Sequence, residues 1–324
     1  MTVHRQHHTL TEGCGLFDRT FLHQILDMTG EDRRRFLNAQ VTCDVAKLEP
    51  GGWTYGFFVS QKGKIQADVT ILDLEDCFRL ILPAGRRKAI REHLEKYVLV
   101  DRVEMESHGG TKLLTLLGPK AVSTLRALGE DAPGAGAFRH VAEIAGAEAY
   151  VVRQTLYGVD AVTLEVAEGD AQGLSAELLR GKAAPVDFEA VETVRVERGV
   201  PRFGAEFGPE NLPQETGLDD AVSYEKGCYL GQEVVARIHY RGGVNRHLRG
   251  LRFEEGDLPE AGAEVIYESR GVGTLGTVVR SPALDAGAGL AILHQRAEPG
   301  SRVTVGKAHA VVEALPWGTA PVKP

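Results

Sequence analysis

The chain has 324 residues, of which 43% are hydrophobic and 25% are charged, and its formal net charge at pH 7 is −8. This length predicts two or three domains, and the composition is that of an ordinary globular protein. The sequence has no apolar run of roughly 20 residues and no secretory signal, and its negative charge argues against a nucleic-acid-binding surface. We therefore expect a cytoplasmic protein that contacts neither membrane nor nucleic acid directly.

The first hundred residues combine strand and helix patterns in the way expected of an α+β sheet covered on one face. Strand patterns occupy four segments: residues 21–30, 51–60, 65–74 and 78–83. The second and third of these are joined by a predicted hairpin that has glycine in its turn. Apolar residues at helical spacing predict helices over 31–40 and 85–100. The polar, histidine-containing residues 1–13 are expected to be a loosely held terminus.

A second set of α+β patterns follows, and a different pattern begins after Arg249. The second set predicts strands and helices in seven segments: residues 111–118, 119–129, 148–156, 159–166, 170–181, 188–199 and 232–240. Beyond Arg249, short strands separated by Gly, Pro, Asp and Ser predict a small antiparallel barrel. We expect three units, which cover residues 1–110, 111–243 and 244–324.

The four cysteines give no sign of a metal site. Cys14, Cys43, Cys77 and Cys228 lie far apart and form no C-x-x-C pair. Zinc and iron–sulfur sites normally show clustered ligands, so we predict no protein-held metal. In a reducing cytosol the thiols should stay reduced.

Cys228 lies in an unusual segment, K-G-C-Y-L-G-Q-E-V-V-A-R-I-H-Y-R-G over residues 226–242. It stands behind Lys226, between two glycines, and just ahead of the predicted helix over 232–240. The partial positive charge of a helix N-terminus and the nearby lysine would both lower a thiol pKa, so we expect an accessible, nucleophilic Cys228. The alternative is a turn that contains a half-buried cysteine.

The same segment resembles the signature of the YgfZ family, which are folate-binding relatives of glycine-cleavage T-protein. That signature runs K-G-C-Y-x-G-Q-E, three variable residues, then R, and it is filled here by Lys226, Gly227, Cys228, Tyr229, Gly231, Gln232, Glu233 and Arg237. Residues 15–45 resemble the opening of the family, residues 61–69 its K-G-K hairpin, and residues 195–215 the segment before the cysteine motif. The resemblance covers nearly the whole chain.

This resemblance implies a fold and a role. The fold would be α+β, with two ferredoxin-like α/β units and a small C-terminal antiparallel β-barrel in a three-lobed, T-protein-like arrangement around a folate-binding opening. The role would be that of an accessory factor that binds tetrahydrofolate or a derivative and supports iron–sulfur cluster assembly or repair. Its partners would be folate and iron–sulfur enzymes or assembly proteins, with an effect on tRNA modification through client enzymes. Cys228 would be the functional thiol.

The resemblance also nominates folate contacts. Arg195 matches a T-protein arginine that contacts the ligand, and the alternative for it is a helix-surface ion pair with Glu192 or Glu197. Asp44 would either contact folate or cap a turn. Thr163 falls where T-protein has a glutamate that binds the pterin.

T-protein itself, an aminomethyltransferase, is the alternative function. Its catalytic aspartate lies in a G-x-x-D-D stretch, and the corresponding stretch here is G-K-I-Q-A-D-V. Ala67 stands at the catalytic position and Asp68 at the second acidic position. A methyl group cannot move a proton, so we expect no ordinary aminomethyltransferase activity. An interaction module with a vestigial pocket is a third alternative, which a titration with reduced folate would distinguish.

Overall fold

The computed structural model describes residues 2–317 and contains two β-sheets, seven α-helices and a closed barrel within that range. The predicted fold class, two α/β units followed by a small antiparallel barrel, is confirmed. None of the helices in residues 2–317 is both long and apolar enough to cross a bilayer.

The helices and strands follow one another in this order. The first part contains α1 (Val3–Glu12), β1 (Gly15–Asp18), β2 (His23–Thr29), α2 (Arg33–Asn38), β3 (Trp53–Val59), β4 (Ile65–Asp73), β5 (Phe78–Pro83), α3 (Arg87–Glu95) and β6 (Glu104–His108). The middle part contains β7 (Thr111–Leu117), α4 (Ala121–Arg126), β8 (Phe138–Ile144), β9 (Ala147–Leu156), β10 (Val159–Ala167), α5 (Glu168–Arg180), β11 (Ala184–Pro185) and α6 (Phe188–Glu197). The last part contains α7 (Gln232–Arg241), β12 (Arg246–Phe253), β13 (Glu264–Tyr267), β14 (Arg270–Ser281), β15 (Ala286–His294), β16 (Arg302–Val305) and β17 (Ala308–Glu313).

The two sheets pack face to face. The first sheet has the strand order β3-β4-β5-β2-β6, and the second has the order β11-β1-β7-β10-β9-β8. Helices α2 and α3 cover one face of the first sheet, and α4 and α5 cover the outer face of the second. The two inner faces meet through a shared apolar cluster formed by Ile25, Leu72, Ile81, Leu113, Phe138 and Val152. Residues of both sheets also line the cavity that lies beside this cluster.

The C-terminal strands form the closed barrel. Its strand order is β12-β15-β14-β13-β16-β17, and its interior is filled by aliphatic side chains. A separate cluster joins the barrel to the β3–β4 hairpin and to the segment around Tyr229 and Val235. The cysteine motif is thus held between the first sheet and the barrel.

Residues Val3–Glu12 form a packed helix, contrary to the prediction of a loosely held terminus. Residues Val3–Glu12 form α1, which buries Leu10 and packs along α6. Gln6 Nε2 donates to Asp187 Oδ2 at 2.7 Å, and His7 Nε2 lies 2.6 Å from Glu197 Oε2. Strand β1 then pairs with β7, so Gly15–Asp18 join the second sheet, whereas the predicted span 1–110 places them with the first unit.

A buried ionic cluster, formed by Asp27, Arg79, His108 and Glu165, ties the two sheets together. Arg79 on β5 donates to both carboxylate oxygens of Asp27 on β2, at 2.9 and 2.7 Å, and to Glu165 on β10 at 2.7 Å. The ring nitrogens of His108 each lie 3.2 Å from a carboxylate oxygen of Asp27 or Glu165. The guanidinium of Arg79 also lies over the ring of Tyr150. These contacts fix the position of one sheet relative to the other.

The ionic cluster makes stability depend on pH through His108. Close contact with the carboxylate of Asp27, and then with that of Glu165, raises the pKa of His108 to about 9, against partial burial and the charge of Arg79. A histidine whose pKa is higher in the folded state stabilises that state fully below its unfolded pKa of about 6.5. This contribution is lost as the pH rises through the folded value of about 9.

We predict that His108→Gln lowers the free energy of unfolding by about 1–2 kcal/mol near neutral pH, a value reduced for solvent screening. The deficit should shrink as the pH rises towards about 10, because the wild-type imidazole then becomes neutral. Urea unfolding of both proteins at several pH values measures this difference, and His8→Gln at an exposed position serves as control. A deficit that stays constant across this pH range would contradict the assignment.

Candidate functional site

A cavity of about 300 Å³ lies between the two sheets. Its walls come from β3, β4 and β5 of the first sheet, from the β9–β10 turn of the second, and from the segment after α6. Five of the lining side chains are flat or aromatic, and they are Trp53, Tyr55, Tyr157, Phe203 and His23. The charged side chains in the wall are Arg19, Asp68 and Arg202. This is a mostly apolar pocket with a few polar groups, which is the usual form of a small-molecule site.

Asp68 is the acidic group of the cavity. Because β4 alternates its side chains between two faces, Ala67 points into the apolar core with Leu26 and Phe58, and Asp68 points to the cavity. Asp68 Oδ2 accepts a hydrogen bond of 2.9 Å from the hydroxyl of Tyr55. Asp68 Oδ1 has no hydrogen-bond partner among residues 2–317. One carboxylate oxygen is thus positioned by Tyr55, and the other is available.

Burial changes the protonation of this pair. It raises the pKa of Asp68 to about 6, and the hydrogen bond from Tyr55 opposes this shift. Burial also raises the pKa of Tyr55 well above its ordinary value. Tyr55 therefore remains a donor, while Asp68 gains or loses a proton close to neutral pH. A carboxyl group with such a pKa is suited to proton transfer in a ligand pocket.

This geometry corrects the interpretation of Ala67. The sequence comparison placed the catalytic carboxylate of T-protein at position 67, and the alanine there argued against proton transfer. A carboxylate at position 67 would face the apolar core, because Ala67 is fully buried among aliphatic side chains. The adjacent position 68 reaches the cavity and carries an aspartate. The loss of a catalytic carboxylate therefore does not follow from Ala67.

The structure does not place Arg195, a predicted folate contact, in the wall of the cavity. Its side chain is fully buried and does not line the cavity. Its Nε and Nη2 donate to Glu192 at 2.7 and 2.9 Å, and its Nη1 donates to Glu206 at 2.8 Å and to Val200 O at 2.6 Å. Nη2 also donates to Thr277 Oγ1 on β14 at 2.5 Å. Arg195 therefore joins α6 to the barrel, and the predicted pair with Glu192 exists as a buried contact.

Asp44 and Thr163 also lie outside the lining of the cavity. Asp44 Oδ1 accepts a hydrogen bond of 3.1 Å from Ala46 N, so it caps a turn, which was the alternative for it. Thr163 is buried, and its hydroxyl lies 3.1 Å from both Thr115 Oγ1 and Gln154 Nε2. Gln154 does line the cavity. Thr163 can therefore orient a cavity residue without touching a ligand itself.

Lys226 of the cysteine motif binds the backbone of the segment after α2. Its Nζ donates to the carbonyl oxygens of Asn38 at 2.7 Å, Val41 at 2.9 Å and Cys43 at 2.6 Å. All three ammonium donors are thus used on residues 38–43. We expected the lysine to act on the Cys228 thiol, but its hydrogen bonds go to these carbonyl groups. It anchors the motif to the first sheet.

The glycine at position 231 allows the motif to lie against the β3–β4 hairpin. Gly231 has a φ of 78°, and a Cβ there would lie 2.3 Å from Ser60 O. Helix α7 begins at the next residue, Gln232, as predicted. A Cβ at Gly63 in the hairpin turn would lie 3.1 Å from Val234 Cγ1. The motif is therefore tightly packed on the hairpin that carries Asp68.

Cys228 differs from the other three cysteines in its exposure. Cys14, Cys43 and Cys77 are buried, and Cys228 is exposed. The adjacent Tyr229 is buried against the barrel-side cluster. The expected accessibility of Cys228 is thus observed, while its role as functional thiol stays a prediction. Gly227, Glu233 and Arg237 of the motif are also exposed.

Comparisons with known proteins agree on one family. The family model described as the GCVT N-terminal domain matches residues 1–226. An aminomethyltransferase of Halalkalibacterium halodurans is 29% identical over 315 residues, which are 94% of this chain and 85% of that protein. An aminomethyltransferase of Thermus thermophilus is 29% identical over 318 residues, which are 97% of this chain and 89% of that protein.

The solved structures agree at the level of the fold. The glycine cleavage system aminomethyltransferase T of Bartonella henselae superposes with a TM-score of 0.85 at 23% identity, and the match covers 97% of this chain and 89% of that chain. The three-part arrangement described above is therefore that of a T-protein.

Proposed function

Because the chain belongs to the GCVT N-terminal domain family, we propose that it binds a reduced folate in the cavity between its two sheets and takes part in aminomethyl transfer. The observation that carries this proposal is Asp68, a cavity carboxylate with one oxygen held by Tyr55 and the other available. Aminomethyltransferase was the alternative in the sequence analysis. It becomes the leading proposal because the argument from Ala67 fails and because the curated relatives carry that name.

The cavity residues fit a reduced folate. The pteridine ring system is flat, and the walls supply Trp53, Tyr55 and Phe203 as flat partners. A reduced folate presents N–H donors at the nitrogens that receive the one-carbon unit, and a carboxylate that accepts one of them forms a charge-assisted hydrogen bond. The volume of about 300 Å³ matches the lower end of ordinary ligand pockets. Asp68 is thus the residue that would bind the reacting nitrogens.

In transfer, two nitrogens of a bound reduced folate would take up the methylene carbon of the aminomethyl group, whose bonds to the carrier sulfur and to the amino nitrogen would break. The products would be methylenetetrahydrofolate, ammonia and the carrier thiol. Asp68 would exchange a proton with the reacting groups, which its pKa of about 6 permits at neutral pH. Tyr55 would hold Asp68 in one orientation through its hydroxyl. The surrounding apolar walls would exclude water and strengthen both contacts.

We predict that Asp68→Asn weakens the binding of 5-formyltetrahydrofolate by roughly 10- to 100-fold, because a charge-assisted hydrogen bond is lost. If the protein transfers aminomethyl groups, formation of methylenetetrahydrofolate from aminomethylated H-protein and tetrahydrofolate should fall by about 10²–10⁴. Calorimetry measures the first effect, and product absorbance measures the second. The substitution should not unfold the protein, because it removes a carboxylate whose burial is unfavourable.

The matched control is Asp44→Asn. This aspartate caps a turn and does not line the cavity, so its variant should bind and react as the wild type does. An equal loss of folate binding and of transfer activity in both variants would show that the effect is not specific to Asp68. Absence of reduced-folate binding by the wild type at millimolar ligand would end the proposal.

A second candidate function rests on a separate observation. Cys228 is the exposed cysteine among the four, in a motif that Lys226 and Gly231 fix rigidly on the first sheet. A fixed and accessible thiol on a folate-binding protein supports the accessory role implied by the YgfZ resemblance, in iron–sulfur cluster assembly or repair. In that case, the wild type would bind folate but form no methylenetetrahydrofolate in the transfer assay.

We predict that Cys228→Ser leaves folding and folate binding unchanged, because the side chain is exposed and keeps nearly the same size. If the accessory role holds, the serine variant should fail to restore iron–sulfur enzyme activities in cells that lack the protein. Cys77→Ser, at a buried position, is the comparison variant. Full rescue by the Cys228 variant, together with efficient aminomethyl transfer, would rule out the accessory role.

A further inference from the structure

Arg19 is a buried arginine in the wall of the central cavity. It lies between β1 and β2 and is only 3% exposed, and its backbone N donates to Leu113 O on β7. Its position at the junction of both sheets is fixed by this contact with the second sheet. The sequence around it, G-L-F-D-R-T-F-L-H, gave no reason to single it out.

Within residues 2–317, Arg19 has no carboxylate within ion-pair distance, unlike the two other buried arginines. Arg79 is paired with Asp27 and Glu165, and Arg195 is paired with Glu192 and Glu206. Burying an arginine without a counter-charge is unfavourable, so such pairing is the rule in protein interiors. Arg19 departs from this rule. Its side chain faces the cavity instead of a carboxylate.

The groups that do contact Arg19 are neutral. Its Nη1 lies 2.9 Å from His23 Nε2. Burial, reinforced by the charge of Arg19, holds the pKa of His23 well below its ordinary value, so the ring is an uncharged acceptor. The hydroxyl of Tyr157 is a further neutral neighbour. Arg19 Nε is buried and has no partner among the described residues.

The other cavity arginine is already neutralised. Arg202 Nη2 donates to Glu192 Oε2 at 3.0 Å, and its backbone N donates to Glu206. Asp68 is not within ion-pair distance of either cavity arginine. Arg19 is therefore the cavity arginine without an ion pair among the described residues, and Glu165 acts on it only from beyond ion-pair distance.

We infer that Arg19 is the anion-binding group of the central cavity and that the ligand bound there presents a carboxylate to it. An arginine fork binds a carboxylate through two parallel hydrogen bonds, and Arg19 Nε is a donor without a partner among residues 2–317. The inference rests on the proposed function, because a reduced folate carries its carboxylates on the glutamate opposite its pteridine ring. Asp68 would then bind the ring and Arg19 the glutamate.

The test uses Arg19→Gln and three ligands: 5-formyltetrahydrofolate, 6-methyltetrahydropterin, which lacks the glutamate, and p-aminobenzoylglutamate, which lacks the ring. Calorimetry should show that the variant binds 5-formyltetrahydrofolate and p-aminobenzoylglutamate roughly 10- to 100-fold more weakly than the wild type does. Binding of the tetrahydropterin should not change. Arg91→Gln, at an exposed helix position, is the matched control.

The stability of the ligand-free protein provides a second readout. Removing a buried charge that has no ion pair should leave the thermal midpoint of Arg19→Gln equal to or above that of the wild type. A clear drop in the midpoint would show a structural role instead. An equal loss of affinity for all three ligands, or no loss for any, would also overturn the inference.

The result separates this inference from the proposed function. If the wild type binds neither folate nor tetrahydropterin, the proposed function fails. The measurement with p-aminobenzoylglutamate then tests the role of Arg19 independently of the proposed function. Weaker binding of this ligand by the variant than by the wild type supports the anion site. Equal binding by both proteins, or binding by neither, overturns it.

Discussion

The face-to-face contact of the two sheets is the constraint on which the rest of the structure depends. Apolar side chains from both inner faces form one shared cluster, and Arg79 crosses the interface to reach Glu165. Since the sheets meet along only part of their faces, a cavity remains beside the contact. Asp68 from the first sheet and Tyr157 from the second reach the same cavity because this contact fixes the distance between the sheets.

Charge compensation divides the buried polar groups into two kinds. Arg79 and Arg195 each contact two carboxylates, and these clusters join the two sheets to each other and α6 to the barrel. Arg19 and Asp68 have incomplete sets of partners within residues 2–317, and both line the cavity. Other buried atoms in this range also lack hydrogen-bond partners, among them His108 Nε2 in the ionic cluster, so it is the position of Arg19 and Asp68 in the cavity wall that points to a ligand.

The elements with strong local patterns could be predicted from the sequence. Strand β5 begins and ends at the predicted residues, and α7 starts at Gln232, next to a glycine with positive φ. Helix α1 was missed because its partners, Asp187 and Glu197, lie about 180 residues further along the chain. Strand β6 was missed because it is a polar edge strand that has a neighbour on one side only.

The site could be predicted only in part, for similar reasons. The two-residue period of β4 was sufficient to show that positions 67 and 68 face opposite sides, and it was the available signal that Asp68 is the cavity residue. The role of Arg195 could not be predicted, because Glu206 and Thr277 reach it only in the folded chain. Arg19 was missed because the absence of a partner is visible only when all neighbours are known.

A crystal structure of the protein with 5-formyltetrahydrofolate tests the central claim most directly. The account predicts a pteridine ring in the cavity between the sheets, stacked near Trp53 and hydrogen-bonded to Asp68 Oδ1. Ordered folate bound elsewhere on the molecule, with the cavity filled only by water, would contradict it.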